Sequence, residues 1–416
     1  TTAGHGVDGR EIYLYGEGWD FGSALAKGFT DCTGGWCYAG KWNMTGSGIG
    51  AFNDIIRDAA HGGYSQDPVG IRRQGFINGL SYDWNGYAYD QRDQADLWAA
   101  TDRLRSALRG SGADWNGQGA PFTDDPQEAV NYIEKHDNET LFDQNVFKLP
   151  HGDGSGNPGW IGSGIPVTTM AERVRSQNMG ISLVGLAQGI PFFHMGGDLL
   201  RSKSLDRNSY NSGDWFNTLD FTYARNNFGA GLPPAGKNRD RYPIIRPLLG
   251  RADFAPGGEE ILASADRFRA LLAVRRSSQL FRLRTAAEVA ARLGFLNTGP
   301  GQIPGLIVMT LADEGEGRAD LDPAWARLVV LFNARPEAVT FGNPAWRGAE
   351  FRLHPVLAAS ADPAVPGAAF SPVQGAFRVP ARSTAVFASI RRSLYISVAM
   401  RAAATPLRFP TRHWSM

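Results

Sequence analysis

Val130-Asn131-Tyr132-Ile133-Glu134-Lys135-His136-Asp137-Asn138 starts as a short strand and ends in a cluster of ionisable side chains. Further on, a helix is predicted over about 170–188; Gly189 stops it, and it runs straight into the apolar strand Ile190-Pro191-Phe192-Phe193. Strand, helix, strand in that order predicts a parallel sheet, because parallel neighbours need a crossover and a helix supplies it. Upstream, Glu11-Ile12-Tyr13-Leu14-Tyr15 reads as another strand entering the turn Gly16-Glu17-Gly18. Leu97, Thr101, Leu104 and Leu108 share one face of a helix expected over 94–109, which Gly110 can cap.

The texture changes after a last helix near 259–275. Short apolar runs at 305–309, 327–332, 351–353 and 385–387 are separated by Gly, Pro and Asn, with no helical period between them. They predict an antiparallel β-sandwich beginning near Ser277. The chain therefore divides into 1–276, 277–390 and a tail, 391–416, with five arginines and no acid, which reads as a solvated basic segment rather than a docking arm.

Composition narrows the function. Lys+Arg 42 against Asp+Glu 41 leaves a net charge of +1, so no basic footprint for nucleic acid exists and a neutral partner fits better. At 416 residues and 43% hydrophobic, the chain can bury a core in two or three domains. Cys32 and Cys37 provide no disulfide framework; one local bridge and two free thiols both remain open. The longest uncharged run, Ser176 to Gly197, contains Gln177, Asn178, Gln188, Pro191 and His194, and fits a buried helix and strand better than a membrane span. The chain opens Thr1-Thr2-Ala3-Gly4, so a targeting segment is expected to be absent or upstream.

Two acids stand at strand ends, where a parallel barrel would place its chemistry. Glu17 follows the first strand and shares the parity of Tyr13 and Tyr15; Asp137 follows the second. Trp19 and Phe21 flank Glu17, and Asp214-Trp215-Phe216-Asn217 follows the third strand. Flat rings beside acids and amides suit sugars, which have apolar faces and hydroxyl edges. Phe192 and Phe193 read as core. His151-Gly152-Asp153-Gly154-Ser155 reads as a flexible loop without a P-loop lysine, and the histidines form no zinc-ligand spacing.

Longer strings carry a family resemblance. Tyr13-Leu14-Tyr15-Gly16-Glu17-Gly18-Trp19-Asp20-Phe21-Gly22 resembles the third shared region of pullulanases and limit dextrinases, of the α-amylase superfamily, and Val130 to Leu141 resembles the fourth. Gly50-Ala51-Phe52-Asn53-Asp54 and Gln74-Gly75-Phe76 match stretches between them, and Leu200 to Asn217 resembles the loop after the last barrel strand. Asn297-Thr298-Gly299-Pro300 and Ile303-Pro304-Gly305 resemble the pullulanase-type C-terminal domain.

The resemblance implies the C-terminal half of a (β/α)8 TIM barrel followed by an antiparallel β-sandwich. It implies retaining hydrolysis of α-1,6 linkages in branched α-glucans: pullulan, amylopectin and limit dextrins. Glu17 would be the general acid/base and Asp137 the third carboxylate, assisted by His136 and Asn138. Trp19, Phe21 and Phe76 would shape the acceptor side; Asp206, Arg207, Asp214 and Trp215 would line the donor side. No cofactor or catalytic metal is required, though the family leaves room for a structural calcium. The nucleophilic aspartate belongs to a Gly-Phe-Arg-x-Asp string that does not occur here. The expectation is a fragment whose missing N-terminal half is its partner, inactive alone; the competing reading is a non-catalytic α-glucan-binding protein. Bacterial relatives are commonly exported and plant relatives work in plastids, so no single compartment follows.

Overall fold

The computed structural model describes residues 8–19, 38–68, 70–88, 92–315, 317–360 and 362–390. Phe21, Cys32, Cys37 and the 391–416 tail lie outside them.

Four short strands form one parallel sheet in sequence order: β1 (Tyr15–Gly16), β2 (Gly50–Asn53), β3 (Ala129–Asn131) and β4 (Ile190–Pro191). Tyr15 pairs with Gly50, Ala51 with Ala129 and Val130 with Ile190, so the carboxyl ends of all four strands point the same way. Helices α1 (Asp54–His61) and α2 (Gln94–Leu108) cross from β2 to β3, and α3 (Leu141–Lys148) and α4 (Met170–Leu186) from β3 to β4. The expected helices at 94–109 and 170–188 are therefore α2 and α4. The strand expected at 11–15 is shorter: Gly9–Glu11 is a 3-10 turn, and only Tyr15 and Gly16 join the ladder.

Local signals explain the crossovers. The Asp93 carboxylate caps α2 by accepting from the Asp96 amide at 3.1 Å. Thr169 and Glu172 close a reciprocal capping box at the start of α4. Gly189, at φ +98°, turns α4 into β4 where a Cβ would sit 2.6 Å from the Pro126 carbonyl oxygen; only glycine fits. Asn53, Asn131 and the Gln188 carbonyl form a buried hydrogen-bonded ladder that locks β2 to β3 and to the end of α4. Among the described residues, no helix is long and apolar enough to cross a membrane.

After α5 (Tyr242–Leu249) and α6 (Gly258–Ser277) the chain becomes antiparallel. One sheet orders β5 (Leu293–Leu296), β6 (Leu306–Ala312), β7 (Trp325–Asn333), β12 (Ser383–Ile390) and β9 (Arg352–Leu353). The other orders β10 (Ala369–Ser371), β11 (Ala376–Val379) and β8 (Val339–Gly342). Val308, Val329, Leu331 and Phe387 meet Phe377 and Val379 across the gap between the sheets. The opposite face of the larger sheet, with Ile307, Met309, Val330, Phe332 and Val386, is buried in the same core as α1, α2 and α4. Burial on both faces is why Leu328-Val329-Val330-Leu331-Phe332 is apolar without alternation.

Candidate active site

The parallel sheet lays an aromatic floor. Phe52, Val130 and Tyr132 are buried together on one face, with Trp19 and Phe192 packed against them. The Phe52 ring centroid lies 4.9 Å from Tyr132, 5.3 Å from Phe192 and 6.1 Å from Trp19. Tyr13 and Tyr15 stack at 5.9 Å, as their shared parity requires. Phe192, read as simple core, is thus part of this floor, whereas Phe193 packs edge-on against Phe268.

Glu17 leaves β1 and Asp137 leaves the turn after β3, and one buried cation joins them. The Lys135 ammonium, on a side chain only 3% exposed, pairs with the Asp137 carboxylate and lies 3.9 Å from Glu17 Oε1. It also sits 4.8 Å from the centre of the Trp19 ring. Burial acts to raise the Asp137 carboxyl. The hydrogen bond and charge of Lys135, and then His136, outweigh it and hold Asp137 below the usual carboxylate range. His136 is largely exposed and places Nδ1 3.1 Å from Asp137 Oδ1.

Donor atoms of Glu17, His136 and Asp137 all lie within 4.8 Å of one another, close enough to hold a metal ion. The positive charge such an ion would bring is already supplied among them by Lys135.

The turn is fastened from below as well. Asn138 adopts φ +60°, a left-handed conformation that asparagine tolerates. Lys203, 1% exposed, donates from Nζ to the carbonyls of His136 and Asn138, the latter at 3.0 Å. Lys203 is itself fixed by its backbone amide, which donates at 2.8 Å to the buried Asp143 carboxylate. Glu134, 2% exposed, accepts from the Leu141 amide at 2.7 Å and sets the exit of the turn into α3.

The remaining expected residues divide. Asp214 and Trp215 stand on an exposed loop, Trp215 with 62% of its surface open. Asp206 is buried and does not line a surface: it accepts from the Asn208 amide at 2.8 Å, Ser212 Oγ at 2.5 Å and Asn238 Nδ2 at 3.0 Å, and so builds the loop that carries Trp215. Arg207 is half-buried, 3.9 Å from Asp240. Phe76 requires correction. Expected at the acceptor side, it has no exposed surface and lies in the core shared by α1, α2 and α4. Its amide donates to Ala59 in α1 at 3.0 Å, which pulls the ring inward.

His151, expected in a flexible loop, is instead buried against Tyr87, Trp160 and Phe254, with Nε2 3.0 Å from the Tyr87 hydroxyl. Sequence reasoning also passed over Lys135 and Lys203. For Lys135 the available signal was its place between Glu134 and Asp137 shortly after a strand, where a buried counter-ion is useful; Lys203, between two serines, carried no such signal.

The chain is similar to proteins of one family. Residues 223–389 match the family described as alpha-1,6-glucosidases, pullulanase-type, C-terminal. Pullulanase 1, chloroplastic, of Arabidopsis thaliana is 40% identical over 410 residues, covering 93% of this chain and 40% of the relative. Pullulanase of Klebsiella pneumoniae is 33% identical over 393 residues, covering 90% and 34%. The crystal structure of PulA from Klebsiella oxytoca superposes with a TM-score of 0.80 at 30% identity, covering 92% of this chain and 35% of that one. A maltotriose complex of PulA from Klebsiella pneumoniae gives 0.77 at 31% identity, covering 92% and 40%. The chain thus spans 34–40% of the length of these curated relatives. Residues 223–389 thus belong to the pullulanase-type α-1,6-glucosidase C-terminal family, and the chain as a whole is similar to pullulanases over 90–93% of its length.

Proposed function

We propose that this chain is the C-terminal portion of a starch and glycogen debranching hydrolase that cleaves α-1,6-glucosidic linkages of branched α-glucans with retention. The observation that carries the reading is the meeting of Glu17 and Asp137, from the ends of two strands of a parallel sheet, over an aromatic floor. In this reading residues 1–276 are the C-terminal half of a (β/α)8 barrel, 277–390 a β-sandwich and 391–416 unassigned. The exposed side chains Ile12, Leu14 and Tyr15 at the outer strand support it, as apolar surface that a further barrel strand would cover.

Glu17 would protonate the glycosidic oxygen as the bond to the anomeric carbon breaks and an aspartate bonds to that carbon. Ionised Glu17 would then take a proton from water as the water oxygen displaces the aspartate. Asp137 would hold sugar hydroxyls, and Trp215 would offer a face to the donor sugars. The nucleophile would come from residues outside this sequence, which has no Gly-Phe-Arg-x-Asp string.

Pullulan digestion tests this. The chain alone should release no maltotriose, and the chain joined to an N-terminal portion bearing Gly-Phe-Arg-x-Asp should release it. In that longer polypeptide, Glu17→Gln should slow hydrolysis by about 10²–10⁴-fold. Near-normal turnover would remove Glu17 from its role. Maltotriose release by the chain alone would place the nucleophile within it. A joined, folded enzyme that binds glucan without cleaving it would favour the non-catalytic reading.

A further inference from the structure

We infer that Lys135 is the positioning residue of this site: its buried ammonium fixes the Asp137 carboxylate against Glu17 before any sugar arrives. The inference rests on the sugar-hydroxyl role proposed for Asp137 and adds the residue that orients it.

Three observations converge on Lys135. First, the side chain is 3% exposed, and a buried ammonium is retained only where anions compensate its lost hydration. Among the described residues its ionic partners are Asp137 and Glu17. Second, the two carboxylates come from different strands, and the Asp137 side chain is about half exposed, so without a fixed cation it would sample several rotamers in solvent. Third, the Lys135 ammonium also lies over the Trp19 ring, 4.8 Å from its centroid. The ammonium therefore has little freedom to follow a moving carboxylate; the carboxylate is drawn to it.

The groups facing Asp137 are Lys135 and His136 from its own turn, with Glu17 across the sheet on the same ammonium. An ordered carboxylate accepts sugar hydroxyls without first losing rotamer entropy, which is how a preformed site gains affinity.

The test uses this chain with ¹³C-labelled aspartate, Asp137 being assigned by its loss in Asp137→Asn, and maltotriose as the probe ligand. Lys135→Met keeps the length of the stem and removes the charge; Lys135→Arg keeps the charge. In Lys135→Met the Asp137 carboxyl should titrate at a higher pH than in the parent, and in Lys135→Arg close to the parent. Maltotriose affinity should fall about tenfold in Lys135→Met, the loss of one oriented charge-assisted hydrogen bond, and recover at least partly in Lys135→Arg. An Asp137 titration that Lys135→Met leaves unmoved in folded protein would overturn the inference whatever happens to binding. An Asp137 titration that moves as expected, in a chain that binds no maltotriose in any variant, would support Lys135 as the positioning residue while counting against the glucan reading. A variant that unfolds is replaced by Lys135→Gln, to which the same two outcomes apply.

Discussion

Phe76→Ala separates a core residue from a sugar contact. The ring has no exposed surface, and its neighbours in the core include Ile56, Ala59, Ile77 and Leu80. A buried phenylalanine removes about 150–250 Å² from water, worth roughly 4–6 kcal/mol at about 25 cal/mol per Å². Alanine keeps the Cβ, and truncations of this kind cost about 3–5 kcal/mol, so about 4 kcal/mol is expected. At about 2.1 cal/mol/K of unfolding entropy per residue, a 416-residue chain changes by roughly 0.9 kcal/mol per degree, which puts the fall in Tm at about 4–5 °C.

Differential scanning calorimetry reads that shift, and a maltotriose binding isotherm on the same sample reads the site. Phe76→Leu refills most of the volume and should recover most of the lost stability, because volume-conserving apolar swaps cost less than about 1.5 kcal/mol. Binding by either folded variant should match the parent. A Tm unchanged within a degree, together with a clear loss of maltotriose affinity, would refute the burial argument and return Phe76 to the acceptor side.

Two further outcomes are expected. Burial, helped by the charges of Arg173, Arg72 and Arg251, holds the His151 imidazole down at about 4, so between pH 6.5 and about 4 the unfolded chain takes up a proton that the folded chain refuses. Folding stability should therefore fall by about 3 kcal/mol as pH drops across that window, a loss that His151→Gln should not show; parallel pH series of urea midpoints for the two proteins would contradict this. Trp215→Ala should change stability by less than about 0.5 kcal/mol, since the ring is mostly exposed, yet weaken maltotriose binding; unchanged binding would remove Trp215 from the donor side.

The parallel sheet was legible because a crossover leaves a mark that short strands do not: α2 and α4 have length, caps and period. β2 and α1 were not read as elements. Gly50-Ala51-Phe52-Asn53 is four residues long, begins with glycine and turns into a helix without a loop, so neither alternation nor punctuation announces it. The runs behind β6, β7 and β12 were legible as strands. Their second buried face was not, because it depends on helices encoded far upstream.

The acids at the strand ends were legible for a physical reason: a strand's direction tells where its next residues emerge. Burial at a loop cannot be derived that way. Phe76 follows Arg72-Arg73-Gln74-Gly75, a string that reads as solvated, yet Arg72, Gln74 and Asn78 are themselves buried. They spend their polar groups on backbone: Gln74 on Asn78 and Asp83, Asn78 on His61, and Arg72 on Pro158. Lys135 carries the same lesson into the site. A lysine between a glutamate and a histidine looks like a solvated face, and what makes it an internal counter-ion is a carboxylate on another strand and an indole above it. The composition of the turn is local, but its electrostatics are set by what β1 brings alongside. Charge pairing across parallel strands is thus the part of a site that sequence periodicity conveys least, and at the Glu17–Asp137 pair it is the feature that brings the two acids together.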